Sequence, residues 1–357
     1  MLGLVITVYN LEKFIDDTLK SVINNINFKN MYIVCVDDGS IDSSASIIKK
    51  YSDIYSNIEY IYKENEGVSI ARNIGLYTLL DKGIRYVAFL DGDDLWKLEI
   101  DITNVLKSDI DILAFNFQLC DERGNQISNK KSIFKSIDLN KINGFDFIEN
   151  YKYLDNDSFS SFIYNIDFLV KNNIVFVPLL ALCEDKNFRD LSLYNAENIK
   201  YYDADIFYYR LHNVSTMHQN HYLKMKNLGQ YDSINARNYM INYYLCNKPD
   251  DHKIIEFYTS LYFQSIIDTI NYINRFTWSY KKIMKMFAGK YFYNDWLNYD
   301  KYKLYDDIIF KIKKFNLKTR DITMMKKFIL WKIRVIIISN IPTSLLHFFK
   351  RKLIFFR

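Results

Sequence analysis

The chain has 357 residues, 49% of them hydrophobic, which is enough for one large domain or two ordinary ones with real cores and excludes a disordered chain. Its four cysteines, Cys35, Cys120, Cys183 and Cys246, are spaced too widely for a zinc knuckle or redox pair and offer no disulfide framework, so a reducing compartment is expected. A net charge of +5 conceals an asymmetry: residues 1–210 hold 22 Lys/Arg against 32 Asp/Glu and residues 211–357 hold 25 against 10, an acidic half that suits a metal and a basic half that suits phosphates of lipid or nucleic acid.

Met1 and Leu2 lead at once into a strand-like run without the basic region of a secretory signal, and a cytoplasmic protein is expected. Leu2–Val8, Met31–Val36, Ile58–Tyr62 and Tyr86–Leu90 read as strands. Between them, the helical period of Leu11, Phe14, Ile15, Thr18, Leu19, Val22, Ile23 and Ile26, and the segments Ser43–Tyr55 and Val68–Lys82, read as helices. Strand and helix in alternation predict a parallel sheet covered on both faces, and such sheets bind ligands at the carboxyl ends of their strands. Those ends carry "TVYN" (7–10), "DDGS" (37–40) and "DGDD" (91–94). Ile110–Phe117 reads as a further strand, a less regular region follows to about residue 210, and from His221 onward the pattern is helical.

Asp37 and Asp38 precede Gly39-Ser40, a turn that lets backbone approach a ligand; a carboxylate there accepts hydrogen bonds from a nucleobase or ribose, or else serves a helix N-terminus opened by Asp42 and Ser43. "NEGVSIARNIG" (65–75) sets Arg72 and Asn73 one turn into a helix, where the Arg is an ordinary surface residue or a clamp on a nucleotide's phosphates. Asp91, Asp93 and Asp94 crowd three carboxylates at the end of a buried strand, a cost that calls for a positive partner. Hard cations such as Mg²⁺ and Mn²⁺ take one or two carboxylates plus substrate phosphates, with Gly92 leaving room for a diphosphate. The competing explanation, capping of a helix near Trp96, needs one acid and not three. Farther on, Glu184 and Asp185 open a helix, where acids are dipole-favoured in any case, and Arg210, His212 and Ser215 share a short loop.

In order and approximate spacing, Tyr9-Asn10, "VDDGS" (36–40), "NEGVSIARNIG", "LDGDD" and the later "ED" resemble the motifs of inverting family 2 glycosyltransferases of the bacterial surface-polysaccharide type. The resemblance implies a GT-A fold, an α/β Rossmann-like, mostly parallel sheet with helices on both faces, over residues 1–215, followed by a helical C-terminal domain at 216–357. It implies that Thr7, Tyr9 and Asp38 line the base and ribose pocket of a nucleoside diphosphate sugar, UDP being the commonest donor, with Arg72 nearby. Asp91 would hold ribose or metal-bound water, and Asp93 would ligate Mn²⁺ or Mg²⁺ in the manner of a DxD motif. Asp185 resembles the general base with Glu184 supporting it, while Arg210 and His212 would steady the leaving diphosphate, His212 also as a metal ligand. Thr7 stands where the family usually has Pro.

These residues suit an in-line displacement. A carboxylate takes the proton of a weakly nucleophilic hydroxyl, a metal and basic groups stabilise the departing diphosphate, and one such step inverts the anomeric centre. Two alternatives stay open: a non-catalytic sugar-nucleotide-binding protein, and a metal-dependent phosphatase with Asp91 as nucleophile. A nicotinamide dehydrogenase is disfavoured, since no Gly-rich fingerprint follows the first strand. Nucleic acid is not an expected partner, because the acidic half opposes it and no recognised module is present.

Residues 325–357 carry eight Lys/Arg and no Asp/Glu, and their longest uncharged run, Val335–Phe349, is shorter than a membrane span requires. The tail from about 322 to 357 is expected to lie on an anionic membrane surface at the inner face of the cell membrane, or to pack as a helical lid. A saccharide or polyprenyl diphosphate-linked acceptor for a cell-surface polysaccharide such as capsule fits that location. The aromatic-rich second half is compatible with a homo-oligomer.

Overall fold

The computed structural model describes residues 1–107, 109–128, 158–178 and 183–212, and a discontinuous set between 236 and 261. The chain divides into two compact units, Met1–Ile255 and Glu256–Arg357. The expected domain boundary at 215 and the basic tail lie outside the described residues, as does Ser215. The described residues from 236 to 255 include helical ones, and they belong to the first unit.

The alternation of apolar strands and amphipathic helices emerges as expected. β1 (Leu2–Val8), β2 (Met31–Asp37), β3 (Ile58–Tyr62) and β4 (Tyr86–Asp91) alternate with α1 (Ile15–Ile23), α2 (Ser44–Ile54) and α3 (Val68–Asp81). These four strands pair in parallel in the order β3-β2-β1-β4. β5 (Leu95–Trp96), β6 (Ile112–Cys120), β7 (Gln126–Ser128), β8 (Phe162–Asn165) and β9 (Ile199–Arg210) extend the sheet, with α4 (Ile166–Lys171) and α5 (Glu184–Asn195) between the last two strands. β8 is antiparallel to β4 and to β6, so β6 regains the direction of β4, and β9 runs parallel to β6. The sheet is therefore mixed: its parallel half β3-β2-β1-β4 matches the expectation, and beyond it the long strands β6 and β9 keep that direction while the short β5, β7 and β8 run antiparallel to their neighbours.

One face is a continuous apolar core. Leu2, Leu4, Ile6 and Val8 of β1 meet Ile15, Leu19 and Val22 of α1, Ile48 of α2, and Ala88 and Leu90 of β4. Each large aliphatic side chain fully buried there contributes about 1.5–3 kcal/mol. α1 is shorter than the apolar period implies, for Ile26 lies beyond it and is exposed. On the opposite face α3 approaches β1 at two glycines: a Cβ on Gly75 would fall 2.4 Å from Val5 Cγ1, and one on Gly3 would fall 2.4 Å from Leu79 Cδ1. That close approach holds the first turn of α3, and Arg72 with it, over the end of β4.

The consequence for function is geometric. β1, β2, β4, β6 and β9 all point their carboxyl ends to one edge, where Val8, Asp37, Asp91, Cys120 and Arg210 end their strands. Backbone bonds lock these ends together: Asp38 N donates to Val8 O at 2.8 Å, Gly92 N to Thr7 O at 3.0 Å, and Leu211 N to Cys120 O at 2.9 Å.

Candidate active site

The 91–94 acids sit in a turn and not before a helix. Asp94 N donates to Asp91 O at 3.0 Å, and Leu95–Trp96 then forms β5, paired with β9. The helix-cap explanation of these acids therefore falls away. Gly92 has a packing reason of its own to be small: a Cβ there would lie 2.9 Å from Thr7 O and 3.0 Å from Leu11 Cδ1, so its size serves the close approach of β1. Thr18 of α1 holds the same turn by donating to Gly92 O at 2.9 Å.

Each acid of the turn has a different partner. Asp91 Oδ1 accepts from Arg72 Nη2 at 2.9 Å and from Thr7 Oγ1 at 3.3 Å. Asp93 Oδ2 lies 3.0 Å from His212 Nε2. Asp94 is buried and accepts the Arg210 backbone N–H at 2.9 Å, which ties the end of β9 to the turn. Burial, followed by the charges of Asp93 and Asp91, pushes the Asp94 carboxyl well above the usual carboxylate range.

Arg72 joins this edge to the second acid motif. It is 4% exposed, and its Nη1 donates to Glu184 Oε1 at 3.0 Å while Nη2 binds Asp91. Burial alone would lower its pKa, but the charges of Asp91 and Glu184 raise it. Glu184 is buried at the start of α5; desolvation and the Asp185 charge push its carboxyl up to about 7, against the pull of Arg72. Asp185 is partly exposed. Its carboxyl is raised by desolvation and offset by Arg72 and by the Lys186 N–H, which donates to Asp185 Oδ1 at 2.7 Å. With Glu184 raised to about 7 and Asp185 raised beside it, this helix end has in Glu184 a group that can take up a proton near neutral pH.

Arg210, the last residue of β9 and so not in the short loop expected, and His212 just after it also reach this edge. Arg210 is buried with its guanidinium 5.2 Å from the Phe14 ring. Its Nη1 donates to Glu122 O at 3.2 Å and reaches Asp17 Oδ2 at 3.4 Å, while Nε and Nη2 have no partner among the described residues. The His212 ring packs 4.2 Å from Phe14, with Nδ1 unpartnered among the same residues. Such buried, unsatisfied polar atoms beside a carboxylate cluster are costly unless something binds them.

At the ends of β1 and β2 the picture is more structural. Thr7 is buried and Tyr9 is half exposed. Asp38 accepts from Glu66 N and Gly67 N, each at 3.0 Å, and from Lys63 Nζ, so its carboxylate shapes the loop that leads into α3. Asp37 binds Ser40 N at 2.8 Å and Tyr60 OH at 2.9 Å. Thr7, Asp91, Arg72, Glu184 and Asp185 are brought together on one face, Asp93, His212 and Arg210 beside them, and Asp38 and Tyr9 at the neighbouring strand ends. Sequence reasoning gave no role to Asp94 or Phe14, and none to Asn73, whose side chain binds the backbone of Phe176 at both N and O. Asn73 adjoins Arg72 in the quoted motif, which was its only signal.

No cluster of three or more metal-ligating side chains occurs among the described residues. The Asp93–His212 pair nonetheless fits a hard cation that brings its other ligands with it. Neighbouring ligands of an octahedral ion at 2.0–2.1 Å stand about 3 Å apart, which matches the separation of Asp93 Oδ2 and His212 Nε2. Among the described residues no helix is long and apolar enough to cross a membrane.

Residues 4–150 match the Glycosyl transferase family 2 family. The chain is 37% identical over 149 residues to the minor teichoic acid biosynthesis protein GgaB of Bacillus subtilis (strain 168), an alignment covering 39% of this chain and 16% of GgaB. It is 27% identical over 249 residues to the uncharacterized glycosyltransferase YibD of Escherichia coli (strain K12), covering 64% of this chain and 69% of YibD. The chain thus spans about a sixth of the length of GgaB and about two thirds of YibD. Among solved structures, S. aureus TarS 1–349 superposes with a TM-score of 0.53 at 20% identity, over 74% of this chain and 72% of that one, a likeness of fold. With the strand-end acids gathered on one edge of the sheet, these matches show that residues 4–150 of the chain are similar to glycosyltransferase family 2.

Proposed function

We propose that the chain transfers a sugar, with inversion, from a nucleoside diphosphate sugar to a hydroxyl of a saccharide or polyprenyl diphosphate-linked saccharide in the synthesis of a cell-surface polysaccharide. The observation that carries this reading is the Arg72 bridge: it sets the acids of the 91–94 turn against the Glu184–Asp185 pair, 93 residues away in sequence. The biosynthetic setting rests on the teichoic acid relative, and UDP as the carrier rests on the family resemblance. Base and ribose would lie at the ends of β1 and β2, by Thr7, Tyr9 and Asp38.

In the reaction the acceptor oxygen attacks the anomeric carbon as the bond to the diphosphate oxygen breaks, and Asp185 takes the acceptor's proton. Its raised pKa makes it a better base than an exposed aspartate, and Glu184 and Arg72 fix its helix end. Arg210, whose Nε and Nη2 are unpartnered among the described residues, and His212 would steady the departing charge. Asp93 and His212 would hold Mn²⁺ or Mg²⁺, with Asp91 behind them, and the ion would neutralise charge on the leaving diphosphate. The phosphatase alternative needs Asp91 as an unencumbered nucleophile, yet Arg72 and Thr7 both bind its Oδ1.

The decisive experiment is Asp185→Asn, assayed for transfer from a panel of nucleotide sugars. A general base lost in this way lowers kcat by roughly 10²- to 10⁴-fold while UDP binding persists. Equal rates in both proteins would remove Asp185 from the mechanism, and UDP binding without transfer from any donor by the wild type would favour a non-catalytic binding protein. For the tail, which lies outside the described residues, we take an anionic lipid surface as the partner. Deleting the residues after about 320 should then release the protein from vesicles containing phosphatidylglycerol.

A further inference from the structure

The motif at 65–75 contains two neighbouring side chains that both reach the segment leading into α5. Asn73 Nδ2 donates to Phe176 O at 2.7 Å, and Phe176 N donates to Asn73 Oδ1 at 2.9 Å. One carboxamide thus satisfies both backbone groups of one residue, as a strand partner would. The Phe176 ring stacks on Phe188 of α5, with centroids 4.0 Å apart and planes 5° from parallel. Phe188 lies four residues after Glu184, on the same helix face.

Arg72 closes the arrangement from the other side. Its guanidinium lies 4.3 Å from the centroid of the Phe159 ring and 5.2 Å from that of Phe176. Both Nη atoms are taken by carboxylates of the protein, Asp91 and Glu184. A guanidinium buried under aromatic rings with its two terminal nitrogens bound internally is poorly placed to clamp the phosphates of a donor. The same geometry suits it to fixing one acid motif relative to another.

We propose that Arg72 and Asn73 form a latch that positions the Glu184–Asp185 pair against the acids of β4, and that Arg72 acts on those acids and not on the donor. Asn73 sets the path of the chain at Phe176, Phe176 seats α5 through Phe188, and Arg72 fixes the first residue of α5 by its charge. Arg72 and Asn73 are positioning residues in this scheme, and Asp185 remains the group that meets the acceptor. The inference rests on the reading of Asp185 as the base, but its geometry can be tested apart from that reading.

The experiment compares wild type, Arg72→Met, Arg72→Lys, Asn73→Ala, Glu184→Gln and the Arg72→Met/Glu184→Gln double variant. Two quantities are read: UDP affinity in the presence of Mn²⁺ by calorimetry, and kcat at saturating donor. A misplacement of the base by about 1 Å costs on the order of 10²-fold in rate. The expected pattern is a kcat loss of that size in Arg72→Met and Asn73→Ala, UDP affinity within about threefold of wild type, partial rescue in Arg72→Lys, and a double variant no slower than Arg72→Met alone. A loss of UDP affinity in Arg72→Met with kcat unchanged, or full activity in Asn73→Ala, would overturn the latch. If Arg72→Met does not fold, Asn73→Ala and Arg72→Lys still decide, since a donor clamp predicts no effect of Asn73. If the wild type transfers no sugar, the reading of Asp185 fails by itself. The latch is then judged by the melting temperatures of the same set, where independent shifts for Arg72 and Glu184 would overturn it.

Discussion

His212 Nε2 and Asp93 Oδ2 stand 3.0 Å apart although 119 positions separate them in the chain. The contact exists because β9 returns to the edge where β4 ends, and the Phe14 ring fixes the imidazole from below. If this pair holds the cation, His212→Ala should raise the Mn²⁺ concentration for half-maximal transfer by about tenfold or more, given that even outer-shell losses at metal sites cost 10- to 100-fold. A Mn²⁺ titration of wild type and variant, in both transfer and UDP binding, checks this. An unchanged midpoint would leave His212 with a diphosphate-binding role alone.

Glu184 gives the protein a specific pH dependence. Its folded pKa, pushed up to about 7 by burial and by Asp185, exceeds that of an ordinary glutamate, so between about pH 4.5 and 7 the folded state holds a proton that the unfolded state has lost. The stabilisation is complete below the unfolded value and is lost as pH rises through the folded one, by at most about 1.4 kcal/mol per pH unit. Urea unfolding from pH 4.5 to 8 should show this decline in the wild type and a flatter profile in Glu184→Gln. Parallel profiles in the two proteins would refute it.

The parallel half of the sheet was legible because its strands are buried on both faces and read as unbroken apolar runs such as Leu2–Val8 and Met31–Val36. β5 was not, since a two-residue strand at Leu95–Trp96 carries no period at all and Trp96 looks equally at home in a helix. β8 is nearly as short. The acids of the site were visible as a cost, three carboxylates beside a buried strand, but their division of labour was not. Nothing local in "DGDD" tells that Asp94 binds the backbone of Arg210, 116 positions on, because that pairing follows from the path of β9. The packing role of Gly92 was hidden for a related reason: a glycine beside acids resembles a ligand-binding turn, and nothing local tells that Thr7 and Leu11 fill the place of its missing Cβ.

Gly92 accordingly supports a stability prediction. In Gly92→Ala the new methyl group meets Thr7 O at 2.9 Å, a backbone atom fixed by its bond from Gly92 N. The strand ends must then separate, at a cost of about 1–3 kcal/mol, and Asp91 and Asp93 move with them. Urea unfolding should therefore occur at lower concentration, and UDP binding with Mn²⁺ should weaken. A variant with wild-type stability would mean that the turn gives way without strain.

Asp94 separates the need for an acceptor from the need for a charge. Its buried carboxyl is held well above the usual range by desolvation and by Asp93 and Asp91, with the Arg210 N–H donation offsetting part of this. A carboxyl raised in this way stabilises the fold below its unfolded pKa and loses that contribution as pH climbs toward its folded value. Asp94→Asn keeps an oxygen for the Arg210 N–H and has no proton to lose. Without Mn²⁺ it should therefore unfold at a higher urea concentration than wild type at pH 8, with the difference shrinking towards pH 4. Asp94→Ala leaves the Arg210 N–H buried without an acceptor and should be less stable by about 1–3 kcal/mol. If Asp94→Asn were as damaging as Asp94→Ala, the carboxylate charge itself would be required, and the tie between the 91–94 turn and β9 would be electrostatic and not a single hydrogen bond.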